Sequence, residues 1–288
     1  TIVKMLGYNV IAVHINYNNR NESIKEEQFL KEWCKYNDIK LHCKTIVEKR
    51  NETKRSVYED MTKSIRFNFY KDIMRETACN SVMLAHHKDD IVENIFTNMC
   101  RGRTILNLAV IKLTATIEDV NVVRPMIEFF KTTIYEFARL YKIPYFKDTT
   151  PTWSVRGKYR NEIYPKLESA FTPNIKNNLL GLDNQSCEWN ALITDKIINP
   201  FLNMITFDEK SNSVNFDTKD YLDYPNSFWS IIFTKIFNKY DKKPPTRKGV
   251  QTFINSIPCK TTNKLVKIPL ANCCVCTIKN TLINIKFI

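Results

Sequence analysis

Apolar positions recur along this chain in two rhythms. Residues 9–15 form a β-branched run, Asn-Val-Ile-Ala-Val-His-Ile, which predicts a buried strand. Residues 39–45 and 120–124 repeat that texture, and the short run Ser-Val-Met-Leu predicts a strand ending at Leu84. Between these runs the spacing becomes helical, over 26–37, 57–76 and 131–141, and Val92, Ile95, Phe96 and Met99 share one helical stripe. Met5 to Tyr8 reads as the tail of a helix ahead of the first strand. Strands alternating with helices predict a parallel sheet with helices on both faces. Because a helix tail precedes a parallel-type strand, we expect a strand and helix ahead of it, and an N-terminally incomplete chain.

The texture changes farther along. Residues 143–165 read as a polar loop, and 169–198 as helical, broken by Pro173 and Gly181. Beyond Pro200, short strands at 205–207 and 214–216 flank a polar turn, and helices are predicted at 228–238 and near 248–257. The segments 265–269, 273–278 and 281–288 alternate like strands. The predicted organisation is an α/β unit over 1–167 with a doubly wound, mostly parallel sheet, a helical connector over 168–200, and a small α+β domain over 201–288.

Composition narrows the function classes. The chain has 288 residues, 43% of them hydrophobic, enough for a sizeable core. Its 43 Lys and Arg against 30 Asp and Glu leave a net charge of +13. That excess favours a polyanionic partner, nucleic acid first, although a Lys- and Asn-rich composition also produces a merely basic surface. No apolar run of membrane-spanning length and no signal segment occurs, so no membrane partner is expected and a cytoplasmic setting is. Nine cysteines, an odd number spread through a long chain, read as reduced thiols. Cys273 and Cys276 form a CxxC inside an alternating apolar run, without a second pair at zinc spacing.

The densest chemistry lies in residues 85–94, Ala-His-His-Lys-Asp-Asp-Ile-Val-Glu-Asn. It falls at a strand-to-helix turn, the end of an open α/β sheet where ligands bind. Asp89 can cap the helix, while Asp90 and Glu93 share one face of its first turn. That face can hold a cation, an amine or a proton, or simply form a cap with solvated neighbours. Arg101 and Arg103 either complement the helix dipole or meet RNA phosphate. Arg156 and Arg160 stand four apart beside Trp153, Lys158 and Tyr159, a set suited to phosphates and unstacked bases, or to a solvated basic helix. Lys242 to Lys248 is either a phosphate-docking segment or a solvated loop.

Taken in order, His14-Ile15-Asn16-Tyr17-Asn18-Asn19-Arg20-Asn21-Glu22-Ser23, the His86 to Glu93 motif, Arg101-Gly102, Arg124-Pro125, Asp148, and Arg156-Gly157-Lys158-Tyr159-Arg160-Asn161-Glu162-Ile163-Tyr164-Pro165 resemble the tRNA(Ile)-lysidine synthase family of the PP-loop ATP pyrophosphatase superfamily. The resemblance spans about residues 5–167. It implies an adenine nucleotide alpha hydrolase-like fold and a ligase reaction using ATP and Mg2+ on tRNA, with free lysine as cosubstrate. An anticodon cytidine is adenylylated and lysine then displaces AMP. By the same resemblance His86 faces the nucleotide phosphates, Asp90 holds magnesium or the lysine ammonium, and Glu93 binds or deprotonates lysine. Arg156 and Arg160 join this catalytic set. His14, Asn16, Arg20 and Arg124 bind the nucleotide, and Arg101, Arg103, Trp153 and Lys158 bind RNA. His87 is expected to be structural, and a homodimer is left open.

Three departures qualify the resemblance. The family's phosphate loop, Ser-Gly-Gly-x-Asp-Ser, is absent from this sequence, Asn94 replaces a Thr, and Gly157 replaces an Asn. A tRNA-thiolating enzyme of the same superfamily is the nearest alternative, and Cys100 stands isolated where such enzymes carry paired cysteines. A catalytically inactive RNA-binding module is the other.

Overall fold

The computed structural model describes residues 1–20, 22–48, 54–146, 150–257 and 265–288. Asp148, named above, lies outside these residues. They divide into two compact units, Thr1–Arg103 with Leu108–Asp183, and Thr104–Asn107 with Asn184–Ile288.

The first unit runs α1 (Ile2–Met5), β1 (Ile11–Asn16), α2 (Glu22–Tyr36), β2 (Lys40–Thr45), α3 (Arg55–Thr77), β3 (Val82–Met83), α4 (Lys88–Cys100), β4 (Thr114–Ile117), β5 (Val120–Val123) and α5 (Lys131–Leu140), the predicted alternation apart from β4. β1 pairs with β2 in parallel, Ile11 opposite Lys40 and Asn16 opposite Thr45. β3 pairs with β5 in parallel, and the Leu84 amide extends that ladder by donating to the Val123 carbonyl at 2.9 Å. The two pairs form separate sheets among the described residues, yet Val13 and Ile15 of β1 and Val82 and Leu84 pack on one core of Phe67, Tyr70, Val120 and Val122. β4 is an unpredicted antiparallel edge on β5. Its two-residue turn, Glu118-Asp119, has positive φ at both positions, 48° and 58°, a conformation that sequence normally signals with Asn-Gly.

The loop expected over 143–165 becomes helical from Val155 onward. α6 (Val155–Lys158) starts at Ser154, whose hydroxyl accepts from the Gly157 amide at 2.9 Å, and passes through a π turn (Tyr159–Ile163) into α7 (Tyr164–Ala170). Proline has no amide to donate back to the preceding turn, and a wider π turn placed before Pro165 absorbs that loss. A second π turn (Thr194–Ile198) precedes Pro200 in the same way. Gly181 does not break the next helix, α8 (Ile175–Ile193), which runs straight through it.

The second unit runs α9 (Asn199–Asn203), β6 (Thr206–Asp208), β7 (Ser213–Asp217), α10 (Asn226–Lys239), α11 (Arg247–Ser256), β8 (Val266–Ile268), β9 (Cys274–Lys279) and β10 (Leu282–Phe287), and its five strands form an antiparallel sheet in the order β6-β7-β10-β9-β8. Cys274, Cys276 and Ile278 alternate inward on β9, and Ile283, Ile285 and Phe287 on β10. They meet Trp229, Phe233, Phe237 and Phe253 in one aromatic-rich core. Cys276 is buried among apolar groups that push its thiol well above the ordinary range, and Cys273, three positions away, is half-buried. Among the described residues no helix is long and apolar enough to cross a membrane.

Candidate functional site

The carboxyl end of β3 turns through Ala85 and His86 into α4. His87 caps that helix, and its backbone amide donates to Asp90 at 3.1 Å, so Asp90 rather than Asp89 serves the cap. Asp89 is spent elsewhere: it accepts from the Lys131 amide at 2.8 Å and pairs with Lys176 at 2.5 Å. Burial alone would raise the Asp89 carboxyl, but the Lys131 amide and the Lys176 ammonium outweigh it and hold the group below its ordinary range. At the far end, Gly102 takes a left-handed φ of 64° and closes α4.

Asp90 and Glu93 lie on one face of α4 as the spacing predicted, and both are buried, at 6% and 4% exposure. The guanidinium of Arg160, in the π turn, bridges them: Nη2 reaches Asp90 Oδ1 and Nε reaches Glu93 Oε2, each at 3.0 Å. Arg156 Nε takes the other Glu93 oxygen at 2.7 Å. Two arginines one helical turn apart therefore engage both oxygens of Glu93. Such fork-like, charge-assisted contacts are among the stronger ones available to a carboxylate.

Behind this layer sits Arg124, 5% exposed, which donates from Nε to His86 Nδ1 at 3.2 Å and from Nη1 to the Lys112 carbonyl at 2.7 Å. Because Nδ1 accepts, neutral His86 carries its proton on Nε2 and presents a donor there. Burial lowers the His86 pKa and keeps it neutral, with Asp90 opposing the shift and Arg124 and Arg156 adding to it. His87 is lowered for the same primary reason and contacts Asp90 at 3.4 Å. Tyr159, beside Arg160, is buried against Phe96. Desolvation, then Glu93 and Asp89, push its hydroxyl up to about 12.

His86, Asp90, Glu93, Arg124, Arg156 and Arg160 thus come together from four elements. Trp153 and Lys158 stand exposed on the segment that carries the two arginines. Arg101 and Arg103 do not join them: they are exposed beyond the end of α4, roughly 16 Å along its axis from Asp90 by helical rise. Nor do His14, Asn16 and Arg20. Asn16 donates to Glu27 at 2.7 Å and Arg20 pairs with Glu26 at 2.6 Å. Asn16, Glu27, Lys31 and Thr45 help line a separate cavity of about 520 Å³ at the ends of β1 and β2. Among the described residues His14 Nε2 is buried without a hydrogen-bond partner, and burial lowers its pKa.

The departures have structural accounts. Asn94 accepts from the Val110 amide at 2.9 Å, tying a loop to α4. At Gly157 a Cβ would lie 2.1 Å from the Pro151 carbonyl oxygen, so the close approach that starts α6 needs glycine there.

Residues 2–167 match the PP-loop domain family. The chain belongs to that family. Among relatives of this PP-loop chain, the tRNA(Ile)-lysidine synthase of Staphylococcus aureus (strain COL) is 24% identical over 231 residues, 80% of this chain and 53% of that protein. The tRNA(Ile)-lysidine synthase of Streptococcus agalactiae serotype V is 28% identical over 193 residues, 66% of this chain and 42% of that protein. The chain spans about half the length of the curated relatives it matches. Among solved structures, the U34-tRNA thiolase NcsA from Methanococcus maripaludis with its [4Fe-4S] cluster aligns at a TM-score of 0.47 and 15% identity, covering 62% of this chain and 61% of that one.

The groups that the PP-loop family implies fit these residues unevenly. His86, Arg156 and Arg160 suit the anionic end of a nucleotide. None of the five glycines forms a phosphate cradle: Gly7 and Gly102 follow helix ends, and Gly157, Gly181 and Gly249 lie within helices. Asp90 and Glu93 are taken up by arginine, and among the described residues no three His, Cys, Asp or Glu gather as metal ligands.

Proposed function

We propose that this chain carries the amine-handling half of an ATP-dependent tRNA-modifying enzyme, a ligase that joins free lysine to an anticodon cytidine. The observation that carries the reading is the buried Asp90–Glu93 pair bridged by Arg160 and completed by Arg156. In support, the curated relatives named above are lysidine synthases, and the ordered motifs that resemble that family contain these four residues.

On this reading the tRNA cytidine reaches the site already adenylylated at its C2 oxygen, and the lysine amine attacks C2 as AMP leaves. An amine arrives as an ammonium and must find carboxylate acceptors and lose a proton. Each Glu93 oxygen already accepts from an arginine, so an incoming ammonium competes with these guanidinium groups for the remaining lone pairs. Arg156 is the more exposed of the two, its side chain at 52% against 29% for Arg160, and it is the group positioned to move. Once free, its guanidinium suits the departing phosphate, where preorganised positive charge lowers the barrier. Arg160 remains across both acids and keeps them oriented. His86 adds a neutral Nε2 donor to the same anionic side.

The test supplies the natural full-length gene product with tRNA, ATP and labelled lysine. Lysine incorporation equal to AMP release is expected. Incorporation of sulfur from a donor in place of lysine would assign the chain to thiolation, and tRNA binding with neither transfer would leave an RNA-binding module.

A further inference from the structure

Lys176 has no place in the ordered motifs, yet it touches both halves of the site. Its ammonium lies 2.5 Å from Asp89 Oδ1, next in sequence to Asp90. It also sits 4.6 Å from the ring centroid of Tyr164, one helical turn beyond Arg160, and 5.9 Å from that of Phe130. The other Asp89 oxygen takes the Lys131 amide, and the Lys88 amide donates to Phe129 at 2.9 Å, so the start of α4 is also tied to the start of α5. Lys176 and Asp89 are largely covered, with side chains 29% and 20% exposed, which separates this tie from a loose surface pair. A lysine held by a carboxylate and an aromatic face is fixed in two directions at once.

We propose that Lys176 is a positioning residue. It holds the turn that carries Asp90 and Glu93 against the helix that carries Arg156 and Arg160, at the separation where the acids and the arginines pair. The inference rests on the proposed role of those acids and concerns how they are kept in place. Placement matters because a shift of about 1 Å in a reacting group costs on the order of 100-fold in rate.

The test uses Lys176→Met, which keeps the side-chain stem and removes the charge, and Asp89→Asn, which cuts the same tie from the other end. The Nε–H resonances of Arg156 and Arg160 report their pairing with Glu93 directly and require no turnover. Both variants are expected to shift and broaden these resonances and to lower kcat for lysine transfer roughly 10- to 100-fold with KM for tRNA unchanged. The double variant should fall short of the sum of the two single effects, because both break the Lys176–Asp89 tie. Lys176→Arg, which keeps a cation against Tyr164, should restore the resonances. Arginine resonances identical to wild type in folded Lys176→Met and Asp89→Asn would overturn the proposal, as would fully additive effects. If Lys176→Met does not fold, Asp89→Asn and Lys176→Arg decide by the same signals. Should the wild type transfer no lysine while the variants still move the arginine signals, the functional reading fails and the positioning role stands.

Discussion

At the scale of single residues, the site is a balance of charges held out of water. Arg160 is the counter-charge common to Asp90 and Glu93, both nearly inaccessible. Removing one partner of a buried pair leaves an uncompensated charge, so Arg160→Ala should destabilise the fold by about 3 kcal/mol in urea denaturation. A change close to zero would mean that Arg156 alone suffices. The histidines add a pH dependence. His14, His86 and His87 are all lowered by burial, so each stays neutral when folded at a pH where the unfolded chain takes up a proton. The unfolded state then binds more protons, and stability falls as pH drops below about 6.5. Thermal midpoints should decline from pH about 7.5 to about 5.5, whereas a rise over that interval would contradict the burial of these rings. Asp89, held low, contributes stability of the same sign that is lost only below pH about 4.

At the scale of elements, the helical segment after Pro151 decides whether the arginines reach the acids. Its start depends on Gly157 lying against the Pro151 carbonyl. Gly157→Ala is therefore expected to displace Arg156 and Arg160 together, abolishing lysine transfer and shifting both Nε–H signals, although alanine favours helix elsewhere. Unchanged signals would show that the 151–157 turn relaxes freely. The same segment marks where the sequence was readable and where it was not. The face shared by Asp90 and Glu93 followed from helical spacing, and the pairing of Arg156 with Arg160 followed from their separation by one turn. Pro165 and the polar texture of 143–165 hid a helix because a π turn accommodates proline without a break, and neither propensity nor periodicity signals that device. β4 was hidden because Glu118-Asp119 supplies a turn with two positive φ angles from residues that rarely announce one. Lys176 meets Asp89 across 87 positions of sequence, and nothing local encodes such a contact.

At the scale of the whole molecule, two units each enclose their own core, and the second is closed by Trp229, Phe233 and Phe253, all fully buried. Phe253→Ala should destabilise that unit by roughly 3–5 kcal/mol, read by the fluorescence of buried Trp229, without moving the arginine signals of the first. The net charge of +13 fits a polyanionic substrate, and tRNA affinity should fall at least about 10-fold between roughly 50 and 200 mM salt if several phosphates are contacted. A flat salt response would place recognition outside the basic surface. The account turns on what the buried acid pair does with an amine, and Glu93→Gln isolates that. It keeps the shape of the side chain and removes the carboxylate that the ammonium needs. In the natural full-length protein, this variant should bind tRNA as the wild type does while lysine transfer disappears. Loss of tRNA binding, or lysine transfer at the wild-type rate, would contradict the role assigned to Glu93.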